Sequence, residues 1–388
     1  MALLTRKTQI ALKAETNEGN LTAPVTPGVA DAAFNIFEAG FSNDIEQFER
    51  NPFRSSVGHM TSIAGVKTGT ISFTSELVGS GSAATAPAIG KLLAPCGFRE
   101  QAIDKLTGTI TGTFLVGETV SGTAGSSTVA AVTSDAVYVV ATATAFTGTI
   151  TTDSSDTDGQ ISTPTYAADV GFVYQSRTTP STYSSTDVPS AALTMYNDGI
   201  KHRIQGARGN LSLRASTGQP VQASFEFMGP LVDTTNGTML SGISYPTATP
   251  PTLLSAAFTV QGFAGVIDSL EVSTNNELAA RRSANATAGV ISTKIVSRAP
   301  TGSIDPEATV VTGTESHDWW GKLSNNTEGS LEITIGSATG NKFMIIAPNT
   351  QYSGISVADR NGIAVNQVDL SFNESSLAVD DDIQILAL

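Results

Sequence analysis

Apolar side chains recur at every second position along much of the chain, a period that predicts strands with one packed and one wet face. The clearest case is 66–78, VKTGTISFTSELV, where Ile71, Phe73 and Leu77 alternate with Thr70, Ser72, Thr74 and Glu76. Residues 5–15 alternate around Ile10 and Leu12, and residues 33–49 around Phe34, Ile36, Phe41, Ile45 and Phe48. Two hairpins are predicted between 190 and 229. The first turns at Asn197-Asp198-Gly199, residue types that tolerate positive φ. The second turns at Gly218, and its return strand puts Val221, Ala223, Phe225 and Phe227 on one face, with Gln222, Ser224 and Glu226 on the other. Further strands are expected near 254–262, 266–273, 289–298, 329–336, 342–346 and 363–372. An acidic stretch, Asp380 to Asp382, reads as a solvated charged turn or a contact for basic groups on a neighbouring subunit, and precedes a last strand, IQILAL. One helix is predicted from Pro87 to Ala94, with Ile89, Leu92 and Leu93 on one side and Pro95 and Gly97 as stop signals. The fold class expected is all-β with one short α-helix.

Residues 104–165 differ from their surroundings. They are nearly devoid of Lys and Arg and crowded with Thr, Gly, Ala and Val. Phe114 and Phe146 each sit in a GT-rich segment. This reads as an inserted small β domain bounded by polar loops. The remainder, 1–103 and 166–388, forms the main body. Its Pro-rich stretch 246–251, PTATPP, reads as a linker at which the body divides into two β sub-domains.

Composition narrows the function classes. Only 14% of the 388 residues are charged, and the net charge is −14. Stable nucleic-acid binding needs clustered Lys and Arg, and no cluster is visible. The single cysteine, Cys96, excludes an internal disulfide framework and reads as a core filler. The first residues, MALLTRK, lack the apolar core of a signal peptide. No apolar run reaches about 18 residues, the length a membrane-spanning helix requires. Triplets of the form N-x-S/T, as at Asn20 and Asn210, are expected by chance in so Ser- and Thr-rich a chain.

Each candidate chemical motif has a simpler structural account. Gly79-Ser80-Gly81-Ser82-Ala83-Ala84 matches a dinucleotide-binding glycine pattern, with Glu100 about twenty residues on. The preceding strand alternates, however, whereas the first strand of such a fold is buried on both faces. Asp153, Asp156, Asp158 and Gly159 resemble a calcium loop, but the closing bidentate position falls on Thr165. His59, His202 and His317 lie far apart, and Trp319-Trp320 reads as a buried anchor at a subunit contact or a ligand platform. The expectation is a structural protein with no catalytic, cofactor or metal site.

Two blocks carry a family resemblance. Residues 64–98, AGVKTGTISFTSELVGSGSAATAPAIGKLLAPCGF, resemble a signature of the major tail tube proteins of long-tailed, siphovirus-like bacteriophages: an amphipathic strand, an E-L-x-G-S-G-like turn, a T-A-P lead into a helix, and an L-L-x-x-C-G-F-like close. Residues 193–229 are similar to that family's next block, with a D-G turn, a G-A-R-G step and a G-Q-P-x-x-x-x-F-x-F-x-G strand. The resemblance implies a virion protein assembled in the bacterial host cytoplasm. It implies hexameric rings stacked into a hollow tube, with strands from each subunit in a continuous inner barrel. Implied partners are other copies of the chain, the tape measure protein, the tail terminator and distal tail proteins, and phage DNA in transit without stable binding. Thr70, Ser72, Thr74, Glu76, Gln222, Ser224 and Glu226 are then expected to face the lumen, with the 104–165 insert on the tube exterior. The rival reading is another virion surface β protein, a capsid decoration protein or a tail fibre or adhesin domain.

Overall fold

Alternating residues form strands wherever one face can be buried, and the computed structural model is accordingly all-β. It describes residues 4–55, 58–153, 158–177, 188–313, 316–375 and 380–388. The first strands are β1 (Thr8–Ala14), β2 (Ile36–Phe48), β3 (Ile63–Glu76) and β4 (Phe98–Thr111). Helix α1 (Gly90–Leu93) lies between β3 and β4, inside the segment predicted to be helical. The insert contributes β5 (Thr119–Ser121), β6 (Ser126–Val132), β7 (Val137–Val140) and β8 (Ile150–Thr152), and the chain returns through β9 (Gln160–Ser176). The two predicted hairpins are β10 (Ala191–Asn197), β11 (Ile200–Ser216) and β12 (Gln222–Asn236). There follow β13 (Ala257–Val260), β14 (Ser269–Ser273), β15 (Asn276–Arg282), β16 (Val290–Arg298) and β17 (Thr301–Ile304). A second helix, α2 (Trp319–Ser324), precedes β18 (Glu328–Ile335), β19 (Phe343–Arg360), β20 (Ile363–Asn373) and β21 (Gln384–Ala387).

The main sheet runs β2–β3–β12–β11–β14–β17–β20–β19, antiparallel throughout. Its inner face is apolar. Ile71, Phe73, Phe225, Phe227, Leu213, Leu270, Val272, Val368 and Leu370 all point into one core. Phe73 stacks on Phe225 and Phe227, with ring centroids 5.5 Å and 6.0 Å apart. Leu92 and Leu93 of α1, and the buried Cys96 beyond it, pack on the same core. The residues on both sides of 246–251 share it too, since Phe227, Phe258 and Leu331 are members together.

Two long strands change partners along their length and so turn the sheet back on itself. β11 pairs with β10 over Ala191–Asn197 and with β14 from Ser212 onward. β19 pairs with β18 and β21 near its start and with β20 from Asn349 onward. The first part of β19, with β21, β9 and β4, forms a second layer over the core. That layer is buried on both faces, which explains its unbroken apolar runs. Phe343, Ile345 and Ile385 face the main core, whereas Met344, Ile346 and Leu386 face the insert.

The insert closes on itself. Pairings run β4–β7–β6–β5–β8–β9 and back to β4, a complete antiparallel ring. Leu106, Phe114, Val120, Val129, Val139, Phe146, Ile150 and Ile161 fill it as a separate apolar cluster. At its base the buried Asp104 carboxylate accepts hydrogen bonds from the Tyr166 hydroxyl at 2.8 Å and from the N–H groups of Thr142 and Asp169 at 2.9 Å. The insert is therefore a small barrel without a free edge, seated on the second layer. It lies across the body from the outer face of the main sheet.

Some elements depart from expectation. β19 has 18 residues where a short strand near 342–346 was expected, because its second half is polar and carries a bulge at Tyr352/Gly354. β15, β17 and α2 were not foreseen; α2 is capped by Asp318, whose carboxylate accepts the Gly321 N–H at 2.8 Å. The acidic turn is not a solvated one. Asp381 is buried and accepts both the N–H and the hydroxyl of Ser375, while Asp382 accepts from Arg298 Nε at 2.7 Å. Its basic partner is thus within the same chain.

Candidate functional site

The outer face of the main sheet is polar across its whole width. In antiparallel sheets, directly opposed residues share a face, so the register strings them into rungs. One rung is Phe37, Thr74, Ser224, Ser212, Ser273, Thr301, Ser371, Gln351 and Glu328. Apart from its two ends it is neutral and mostly hydroxylated, and Thr74 and Ser224 are hydrogen-bonded at 3.2 Å. At about 4.8 Å per strand it spans roughly 35 Å. The next rung is charged: Glu76, Gln222, Arg214, Glu271, Ser303 and Asp369. On the other side lies a shorter rung of Gly40, Ser72, Glu226 and Asn210.

All seven sequence-predicted face residues fall on this surface. Ser72, Gln222, Ser224 and Glu226 are exposed, while Thr70, Thr74 and Glu76 are half-buried. Six of them pair directly: Glu76 with Gln222, Thr74 with Ser224, and Ser72 with Glu226. Thr70 lies one step further along β3, opposite Met228 and Ser42. A groove of ≈ 440 Å³ follows the surface, lined by Glu38, Ser72, Thr74, Asn210, Ser224 and Glu226 among others. Strand alternation revealed β3 and β12 as its contributors. β14 matches the strand expected near 266–273 but was not placed on this face, while the short β17 and the polar half of β19 were missed, because few apolar residues mark their period.

The sheet bearing this face ends in two unpaired stretches of backbone. Among the described residues, β2 pairs only with β3, and Ser353–Arg360 of β19 pairs only with β20. Exposed apolar side chains sit on or beside these strands: Phe37, Phe48 and Ile63 at one end, Val357 and Ile363 at the other.

The other sequence candidates resolve into packing. Gly79 follows a strand with antiparallel partners on both sides, which is not the setting of a nucleotide loop. A Cβ at Gly79 would come within 2.0 Å of the Gly340 carbonyl oxygen, and its N–H donates to Asn341 Oδ1 at 2.8 Å. Close approach of two turns is what requires this glycine. Asp153 accepts from the Ser121 hydroxyl at 2.8 Å and Asp158 from the Thr113 N–H at 3.1 Å, while Asp156 lies outside the described residues. Trp319 is buried against His317 and Tyr352, and Trp320 is exposed. His317 Nε2 lies 2.8 Å from the Tyr352 hydroxyl. Burial, reinforced by nearby Lys322 and opposed by Asp318, pushes the His317 pKa down to about 4.

One ion network was not foreseen. Arg208, buried, reaches Glu18 at 2.8 Å and donates to the Val188 carbonyl, while Lys294 also reaches Glu18 at 2.8 Å. Burial opposes ionisation of Glu18, but the hydrogen bonds from Lys294 and Arg208 outweigh it and hold the pKa at about 2. The network ties the 15–20 loop to β11 and β16.

No protein-family model matches the chain, and no curated protein matches it in sequence.

Proposed function

We propose that the chain is the structural subunit of a phage tail tube, its copies joining edge to edge as hexameric rings that stack into a hollow conduit for DNA. The observation that carries this reading is the polar outer face of the main sheet, bounded by two free edges. A free edge is a template for pairing with another chain, and closing a sheet into a barrel satisfies it. β2 of one copy would meet the Ser353–Arg360 stretch of the next. The rungs would then continue around the ring and line its lumen.

The chemistry of the face suits transit without capture. Hydroxyls and amides offer no fixed cation to phosphate, and each cation contact would add salt-dependent affinity. Carboxylates at Glu76, Glu226, Glu271 and Asp369 repel the backbone and keep it off the wall. The insert, on the opposite side of the body, would stand on the tube exterior.

Electron microscopy of the purified protein tests the proposal. Hollow tubes built of sixfold rings are expected; trimers or monomers under all assembly conditions would overturn it in favour of a decoration or fibre protein. Val357→Lys supplies a sharper arm. Val357 is exposed on the free stretch of β19, so the change should leave folding within about 0.5 kcal/mol of wild type and abolish tubes. Intact tubes from this variant would rule out that edge as the joint.

A further inference from the structure

Arg214 interrupts three rungs built mostly of carboxylates, hydroxyls and amides. Along the three rungs it is the one basic side chain, against Glu76, Glu226, Glu271, Glu328 and Asp369. Its side chain shares the face of Ser212, two residues back on β11, and it is 69% exposed. A guanidinium with that access is the side chain best shaped for two phosphate oxygens at once. Left free, it would be the place where a passing polyanion is held.

It is not left free. Glu271 stands directly opposite on β14, and its Oε1 lies 3.1 Å from Arg214 Nε. On the other side the neighbour is Gln222, an amide that leaves the charge uncompensated. We infer that Glu271 masks Arg214, withholding from DNA the single guanidinium that the acidic rung needs to limit its own repulsion. The inference rests on the tube reading, in which this face meets DNA. Arg214 separates Glu76, beyond Gln222, from Glu271, and Asp369 lies two strands further on. Without the arginine, three carboxylates would share one rung with nothing to offset them. With an unmasked arginine, a ring of copies would carry one phosphate contact per subunit, and each would slow transit.

The test compares wild type, Glu271→Gln, Arg214→Gln and the double variant, each confirmed folded by its thermal melt. The probe is a short fluorescein-labelled DNA duplex, followed by anisotropy from low to high salt. Glu271→Gln is expected to bind about three- to tenfold tighter than wild type at low salt, with the gain lost as salt rises. Arg214→Gln and the double variant should show no gain. Equal binding by Glu271→Gln and wild type would overturn the mask. So would a double variant that keeps the gain, because removal of a negative charge alone would then explain it. The measurement requires no assembled tube. Failure to see tubes by microscopy sinks the tube reading and with it the reason for a mask, whereas failure of the anisotropy difference sinks the mask and leaves the tube reading standing.

Discussion

Two ionisable residues, the buried His317 and the half-buried Glu18, give this chain two separate acid sensitivities. His317 is enclosed by Phe263, Trp319 and Tyr352, and its pKa falls to about 4 from an ordinary 6.5. Above pH 6.5 it is neutral whether the chain is folded or not, so its contribution to stability is complete. As pH drops from 6.5 to 4, the unfolded chain takes up a proton that the folded chain refuses, and stability falls by up to about 3 kcal/mol. Glu18 acts lower down: its folded pKa of about 2 lies below the ordinary 4.5, so its contribution is present above 4.5 and is lost between 4.5 and 2. Urea denaturation at a series of pH values should show both losses. In His317→Gln, which can still bond to the Tyr352 hydroxyl, the curve between pH 6.5 and 4 should flatten while the lower loss persists. An unchanged slope in the upper window would mean that another group titrates there. The surroundings of neither residue were legible in the sequence. His317 lies beside the exposed Trp320, and Glu18 sits in a polar loop whose partners, Arg208 and Lys294, are roughly 190 and 280 positions away.

At the scale of elements, what the sequence revealed depended on how many apolar residues marked the period. β3 and β12 were legible because Ile71, Phe73, Leu77, Ala223, Phe225 and Phe227 repeat every second position over a long stretch, and the hairpin turns were named by Asn197-Asp198-Gly199 and Gly218. β17 offers only Ile304 as a buried apolar residue, and among the described residues β15 pairs only with β16 outside the main sheet, so neither period shows. The glycine-rich turn after β3 was legible as a turn but not as a contact. Its partner, the turn at Ala338–Asn341, is some 260 residues away in sequence, and the two interlock through Gly79 and Gly340. Gly79→Ala should therefore be costly despite its modest size. The new methyl meets a backbone carbonyl that cannot rotate away, and the displaced turn also carries Asn341, which holds the 249 carbonyl. A loss of about 2–4 kcal/mol is expected, larger than the roughly 1 kcal/mol typical of a point change. Gly81→Ala, next in the same motif, has open space around its Cβ and suffers only from its positive φ. Thermal melts of the pair should rank Gly79→Ala well below Gly81→Ala; the reverse order would return the motif to a role in the turn alone.

For the whole molecule, the decisive relation is between the insert and the body. Read from composition, the insert looked like a separate small β domain, since its Thr- and Gly-rich strands share little with the chain around them. The structure gives it a core of its own but also a second task. Ala130, Ala131, Ala136 and Tyr138 cover Met344, Ile346 and Leu386, the Gln384 side chain donates to the Ala130 carbonyl at 2.7 Å, and the Ser134 N–H donates to Glu332 at 3.1 Å. Exposing Met344, Ile346 and Leu386 and the adjoining Ile103 and Val173, five large apolar side chains in all, costs roughly 1.5–3 kcal/mol each. The sum is comparable to the net stability of a typical domain, about 5–15 kcal/mol. A chain lacking 108–164, with Thr107 joined through a short turn to its cross-strand partner Thr165, should therefore be insoluble as it stands. Adding Ile103→Thr, Val173→Thr, Met344→Thr, Ile346→Thr and Leu386→Thr keeps the strands and makes their newly open face polar, which should restore soluble protein. Under the tube reading, that repaired chain should still form tubes, thinner by the missing outer barrel, because the main sheet and both of its free edges are untouched. Soluble repaired protein that never forms tubes would mean that the insert itself contributes to the joint between copies. A closed barrel has no edge to lend, so that contribution would have to come from side-chain surface alone.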